Sequence, residues 1–138
     1  MLAMTALTLL IGLLILQALA YGLGFLLDPA SNAGEFGYEV AEPVDALTVA
    51  LVRVVGISMI GAAALLALSV ILVWRGVPAG TYIASVIGAI YIAVSLLAAD
   101  AGSWWDAGFY GITGVALVAL SSVVRWLQGG QSDGGGGG

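Results

Sequence analysis

Residues 54–99 read VVGISMIGAAALLALSVILVWRGVPAGTYIASVIGAIYIAVSLLAA and carry one charge, Arg75. An apolar run lies on each side of it, Val54 to Trp74 and Gly76 to Ala99. A hydrocarbon core ~30 Å thick is crossed by ~20 apolar helical residues at ~1.5 Å each, so either run can cross. Between them, in Arg75-Gly76-Val77-Pro78, Gly76 reads as the residue just past a helix end and Pro78 as the opening of the next helix. The two runs therefore form a tight antiparallel hairpin. Working outward, Leu2 to Leu27 and Ala107 to Val124 are also free of charge. The chain is predicted to be all-α, an integral membrane bundle of four transmembrane helices within residues 1–128. The spans fall at about 2–27, 46–74, 77–99 and 104–126, and residues 129–138 form a flexible Gly-rich tail.

Composition supports this and narrows the chemistry. Of 138 residues, 62% are hydrophobic and 8% charged, against ~45–50% and ~25% in soluble domains. The chain has no Cys and no His, and its three basic residues are Arg53, Arg75 and Arg125. The thiolate, imidazole and Schiff-base routes are therefore missing, and no enzyme activity, metal or other cofactor is read from the residues. A net charge of −5 argues against a nucleic-acid partner. The partner that the composition does call for is the lipid bilayer.

The charges also set a topology. Asp28, Glu35, Glu39, Glu42 and Asp45 fill the connection after the first span, while Asp100 and Asp106 bracket the connection before the last. The short hairpin turn and the end of the last span carry Arg75 and Arg125. Basic short loops stay in the cytoplasm, which places both termini and both of these arginines inside the cell membrane and the acidic loops outside. Trp74 and Trp126 then mark the inner interface, and Trp104 and Trp105 the outer one. Ala18-Leu19-Ala20 resembles a signal-peptide cleavage site, but the basic leader is missing and the apolar stretch continues to Leu27, so the run is read as a retained span.

At the boundaries, Asp28-Pro29 is expected to cap a short interfacial turn through Phe36. Glu42-Pro43-Val44-Asp45 is expected to open the second span, and Ser103-Trp104-Trp105-Asp106 to be a capping box. Small residues mark packing faces, because close backbone approach drives helix association in lipid. These are Gly80, Ala84 and Gly88 at intervals of four, Gly56 with Gly61, and Gly108 with Gly111 and Gly114. They serve packing within the bundle or a seam with a second copy. Tyr82, Tyr91, Tyr110, Ser58, Ser69, Ser85 and Ser95 can hydrogen-bond within or between helices.

Arg53 departs from the charge sorting. If the second span opens at Ala46, it lies ~10–12 Å inside. An arginine at a membrane centre costs ~2.5–3.5 kcal/mol on insertion scales. It either snorkels to the outer interface or takes a carboxylate partner, for which Asp28, Glu42, Asp45, Asp100 and Asp106 stand on the same side. Asp45 and Asp106 also read as helix caps.

Gly22-Leu23-Gly24-Phe25-Leu26-Leu27-Asp28-Pro29, the loop ending in Gly37, and Arg53-Val54-Val55-Gly56 with Gly61 beyond resemble the DoxX-like group of small bacterial and archaeal membrane proteins. The likeness spans roughly residues 8 to 124. It implies a four-helix bundle with Arg53 near its outer end. For DoxX proteins proper it implies a link to quinone-dependent sulfur oxidation and redox homeostasis. With no Cys in this chain, any electron carrier would be a non-covalent quinone or would belong to a partner. The function expected is a small structural or accessory membrane subunit, with a homo-oligomer or another membrane subunit as partner. The alternatives are a transporter or channel component for a proton, ion or small lipophile, and a quinone-linked redox subunit.

Overall fold

Long unbroken apolar segments with few helix breakers satisfy their backbone polar groups internally only as helices. In the computed structural model, which describes residues 1–32 and 44–132, the order is α1 (Leu2–Leu27), α2 (Pro29–Asn32), α3 (Ala46–Trp74), α4 (Ala79–Asp100) and α5 (Trp104–Ser132). Among the described residues there is no strand, and four helices are long and apolar enough to span a membrane. Gly34, Glu35, Phe36, Gly37, Glu39, Glu42 and Pro43 of the first connection, and Asp133 of the tail, lie outside the described residues.

The helix ends follow from local chemistry. After α3, Gly76 adopts φ +70° and donates to the Val73 carbonyl at 3.0 Å, while Val77 N–H reaches the Leu72 carbonyl at 2.9 Å. This paired closure is a Schellman motif, and it delays α4 to Ala79 rather than the expected residue 77, because Gly76 and Val77 are spent ending α3. Pro78 then sits in the helical region, and its carbonyl accepts from Thr81 N–H at 3.1 Å and from the Thr81 hydroxyl at 2.8 Å. The α4–α5 turn repeats the device. Gly102 at φ +82° donates to Ala99, and Ser103 N–H donates to the Ala98 carbonyl at 2.9 Å. With Ser103 N–H so engaged, the expected capping box takes another form, in which the Ser103 hydroxyl donates to the Asp106 carboxylate.

At the other end, α5 runs past the expected limit of Trp126, through Gly129 and Gly130, to Ser132. Neither glycine takes a positive φ that would end it. The Gln128 side chain donates to the Val73 carbonyl at 3.2 Å and ties this last turn to the end of α3.

Contacts divide the chain into two compact units. One comprises residues 1–12 and 65–138, the other residues 13–64. In the first, α4 and α5 pair along their lengths through small residues. A Cβ on Gly88 would lie 2.8 Å from the Gly114 carbonyl oxygen, and one on Gly114 2.7 Å from that of Gly88. Tyr91 and Tyr110 meet edge to face at 5.4 Å between centroids. The Ser95 hydroxyl crosses to the Ala107 carbonyl at 2.6 Å. The final part of α3 joins α4 in the same manner, with the buried Ser69 hydroxyl donating to the Gly80 carbonyl at 2.7 Å. Thr8 accepts from the Trp74 indole N–H at 3.0 Å.

In the second unit, Gly22 on α1 faces Gly56 on α3, and a Cβ on Gly56 would come within 2.8 Å of the Gly22 carbonyl oxygen. Phe25 and Val52 are buried beside this contact, with Val44, Val55 and Met59 packed against them. In a bilayer such burial contributes through dispersion and fit rather than release from water, since lipid tails are as apolar as these side chains.

Candidate functional site

Ionisable side chains in an apolar chain settle at helix ends unless a partner or wet cavity holds them elsewhere. In the unit of residues 13–64, Asp28 and Asp45 do so. Asp28 Oδ1 accepts from Ser31 N–H at 3.4 Å as the cap of α2, whose last residue, Asn32, donates back to the Gly24 and Asp28 carbonyls at 3.2 and 2.7 Å. Asp45 Oδ1 accepts from Thr48 N–H at 2.6 Å and caps α3. That backbone bond, aided by the Thr48 hydroxyl, holds the Asp45 carboxyl below its usual range.

The sign of the resulting pH effect is fixed. A carboxyl depressed on folding contributes stability above the unfolded value of ~3.9, and that contribution is lost as the pH falls through the lower folded value. The expected result is that acidification below about pH 4 lowers the thermal stability of the detergent-solubilised chain more than that of Asp45→Asn, whose amide oxygen caps without titrating. Equal acid sensitivity in both would remove Asp45 from the α3 cap.

Arg53 is exposed on α3, three residues outward from Gly56 and so at the level of Phe25 in the antiparallel pair. No ion pair within 4.0 Å joins it to Asp28 or Asp45 among the described residues. Asp28 stands three residues beyond Phe25, ~4.5 Å further along the axis, which a guanidinium on its flexible stem can cover. Arg53 is thus exposed rather than buried, with no carboxylate held against it among the described residues of its unit.

In the unit of residues 1–12 and 65–138, Asp100 is the exposed last residue of α4, and Asp106 is held by Ser103 at the start of α5. Arg75 is exposed in the α3–α4 turn. The Arg125 guanidinium lies 4.5 Å from the centroid of the Tyr82 ring, with Nη2 3.5 Å from the Ser122 hydroxyl. The tryptophans at the two ends of α5 are strongly exposed: Trp104 76%, Trp105 86% and Trp126 77%. From Trp104 to Trp126 a helix rises ~33 Å, close to the ~30 Å hydrocarbon thickness.

The packing residues divide similarly. Gly80 lies against Ser69 and Val73 of α3, Ala84 is fully buried, and Gly88 lies against Gly114 of α5. Positions four apart drift by ~40° around a helix, so a stripe of three turns from one neighbour to the next. Gly56 meets Gly22, whereas Gly61 is exposed and a Cβ there would meet nothing within 4 Å among the described residues, so no helix contact is made through it there. Gly108 is likewise open, and Gly111 sits against the Ser95 hydroxyl.

Several polar residues escape a reading by charge and glycine spacing. Gln17 Oε1, Ser85 Oγ and Ser121 Oγ are buried without a hydrogen-bond partner, and Ser121 is fully inaccessible. Gln17 was legible as the one amide in the 26-residue apolar run of α1, but Ser121 was not, since Ser122 beside it is exposed. Among the described residues, no three His, Cys, Asp or Glu side chains gather as a metal site. Comparison with protein-family models, curated proteins and solved structures finds no match for this chain.

Proposed function

We propose that this chain is a multi-pass protein of the cell membrane, of DoxX-like type, acting as a structural or accessory subunit with both termini in the cytoplasm. The observation that carries this reading is the closed approach of Gly88 and Gly114 between α4 and α5. Backbone meets backbone there, and the Tyr91–Tyr110 pair and the Ser95–Ala107 bond fill the levels beyond it. A helix pair so closed has no room between its members for a transported ligand. The placement of charge supports the same reading, since Asp28 and Asp45 cap helices, Asp106 is held by the Ser103 hydroxyl at the start of α5, and Arg53 is exposed. What the chain offers other molecules is its long exposed apolar helix faces, suited to lipid and to neighbouring membrane helices.

Two measurements test this. In proteoliposomes the wild-type chain is expected to carry no proton or ion flux above empty vesicles. A flux abolished by Arg53→Ala in a stably inserted protein would replace the accessory reading with a transport one. For the topology, cysteines introduced as Glu39→Cys and Gln131→Cys are expected to label from opposite sides of the membrane. Labelling of both from one side would overturn the four-span orientation.

A further inference from the structure

The Arg125–Tyr82 pair does more than end a helix. A guanidinium carries its donors around its edge, and stacking on an aromatic ring occupies only a face. With the centre 4.5 Å over Tyr82 and Nη2 directed at the Ser122 oxygen, the remaining N–H groups are fixed in place and left to an outside acceptor. Among the described residues of this unit, no carboxylate pairs with Arg125. Tyr82 is 55% exposed, so the pair opens to the surroundings. The Trp126 ring and the Arg75 turn occupy the same end of the helices. Below the guanidinium, Val86 and Ile90 follow Tyr82 at intervals of four and are both exposed, forming an apolar track along α4.

We infer that Arg125, held by Tyr82, binds the headgroup phosphate of an anionic phospholipid, one acyl chain of which lies along Val86 and Ile90. Charge complementarity selects this occupant. A planar guanidinium edge matches two phosphate oxygens, while the nearby Arg75 disfavours a headgroup that carries its own cation. A soluble phosphate would forgo the apolar track. The site rests on the membrane reading proposed above.

Native mass spectrometry of the full chain in neutral detergent, titrated with phosphatidylglycerol or phosphatidylcholine, tests the inference. Retention of phosphatidylglycerol by the wild-type chain is expected to exceed that by Arg125→Gln by about tenfold, the scale of one charge-assisted hydrogen-bonded contact, and to exceed that of phosphatidylcholine, whose choline the Arg75 end disfavours. Tyr82→Leu is expected to weaken phosphatidylglycerol retention, and Tyr82→Phe to keep it because the ring remains. Unchanged phosphatidylglycerol retention in Arg125→Gln overturns the site, as does displacement of the lipid by millimolar inorganic phosphate. Flotation with phosphatidylcholine vesicles separates the two readings. A chain that fails to float with them is not a membrane protein at all, whereas one that floats but retains phosphatidylglycerol equally with and without Arg125 refutes only the lipid site.

Discussion

Gly88→Leu is expected to destabilise the α4–α5 pair by about 2 kcal/mol, although helix propensity and hydropathy both favour the substitution. Leucine gains about 0.8 kcal/mol over glycine in helix propensity and is favourable on insertion scales. Against this, its Cβ alone would stand 2.8 Å from the Gly114 carbonyl oxygen and 3.0 Å from Leu117 Cβ. The blocking atom is backbone, so it cannot swing aside and the helices must separate. Overpacking of this kind costs about 1–3 kcal/mol and more where nothing can yield, which outweighs the local gains. Separation would also break the Ser95–Ala107 bond and the Tyr91–Tyr110 contact. The matched variant is Gly61→Leu, where a Cβ meets open space and no loss is expected. Reversible unfolding in bicelles or mild detergent compares the two, and equal stability of Gly88→Leu and Gly61→Leu would show that the glycine contact does not hold the pair.

Phe25→Ala is expected to cost about 2 kcal/mol, well under the ~3–5 kcal/mol of the same truncation in a water-soluble core. Phe25 is 4% exposed and packs with Val52 beside the Gly22–Gly56 contact. In water, truncation loses both the transfer free energy of the ring and the contacts around the cavity. In a bilayer the ring is as well solvated by lipid as by protein, so the cavity term, ~24 cal/mol per Å³ of void, is what remains. The size of the loss therefore reports the surroundings of this end of α1 and α3. A loss of 4 kcal/mol or more would mean that it sits in water, and the level of Arg53 would then need no snorkelling.

The ends of the helices were largely legible in the chain. Gly76 before Pro78 marks a turn because a left-handed residue that frees two N–H groups to close the last carbonyls is easiest for glycine, and the structure adds Gly102, which was not read from the chain, in the same role. Asp45 before the second long run reads as a cap for the same local reason. Spacing was a poorer guide to contact. The three residues Gly80, Ala84 and Gly88 share one face on paper, yet they serve two neighbours. Gly56 and Gly61, five positions apart, point to opposite fates. Nothing within a single helix tells a glycine that meets another backbone from one that faces outward, because both have the same local conformation and hydropathy.

Arg125 shows the limit most clearly. As a charge at the end of an apolar run it enters the expected orientation, which is a sum over residues and needs no contacts. That its guanidinium stacks on Tyr82, 43 positions away, depends on the register of α4 against α5, and that register is set by Gly88 meeting Gly114. The sequence by itself determined the four long helices, most of their ends and the sorting of charge, all of which follow from properties added along the chain, whereas the start of α4 and the end of α5 differ from the expected bounds. Only the tertiary structure decided which small residues touch, that Arg53 stands exposed without a carboxylate partner among the described residues of its unit, and that Arg125 is held in place. Those outcomes depend on side-chain fit between helices, and in an apolar medium fit is not signalled by hydrophobicity.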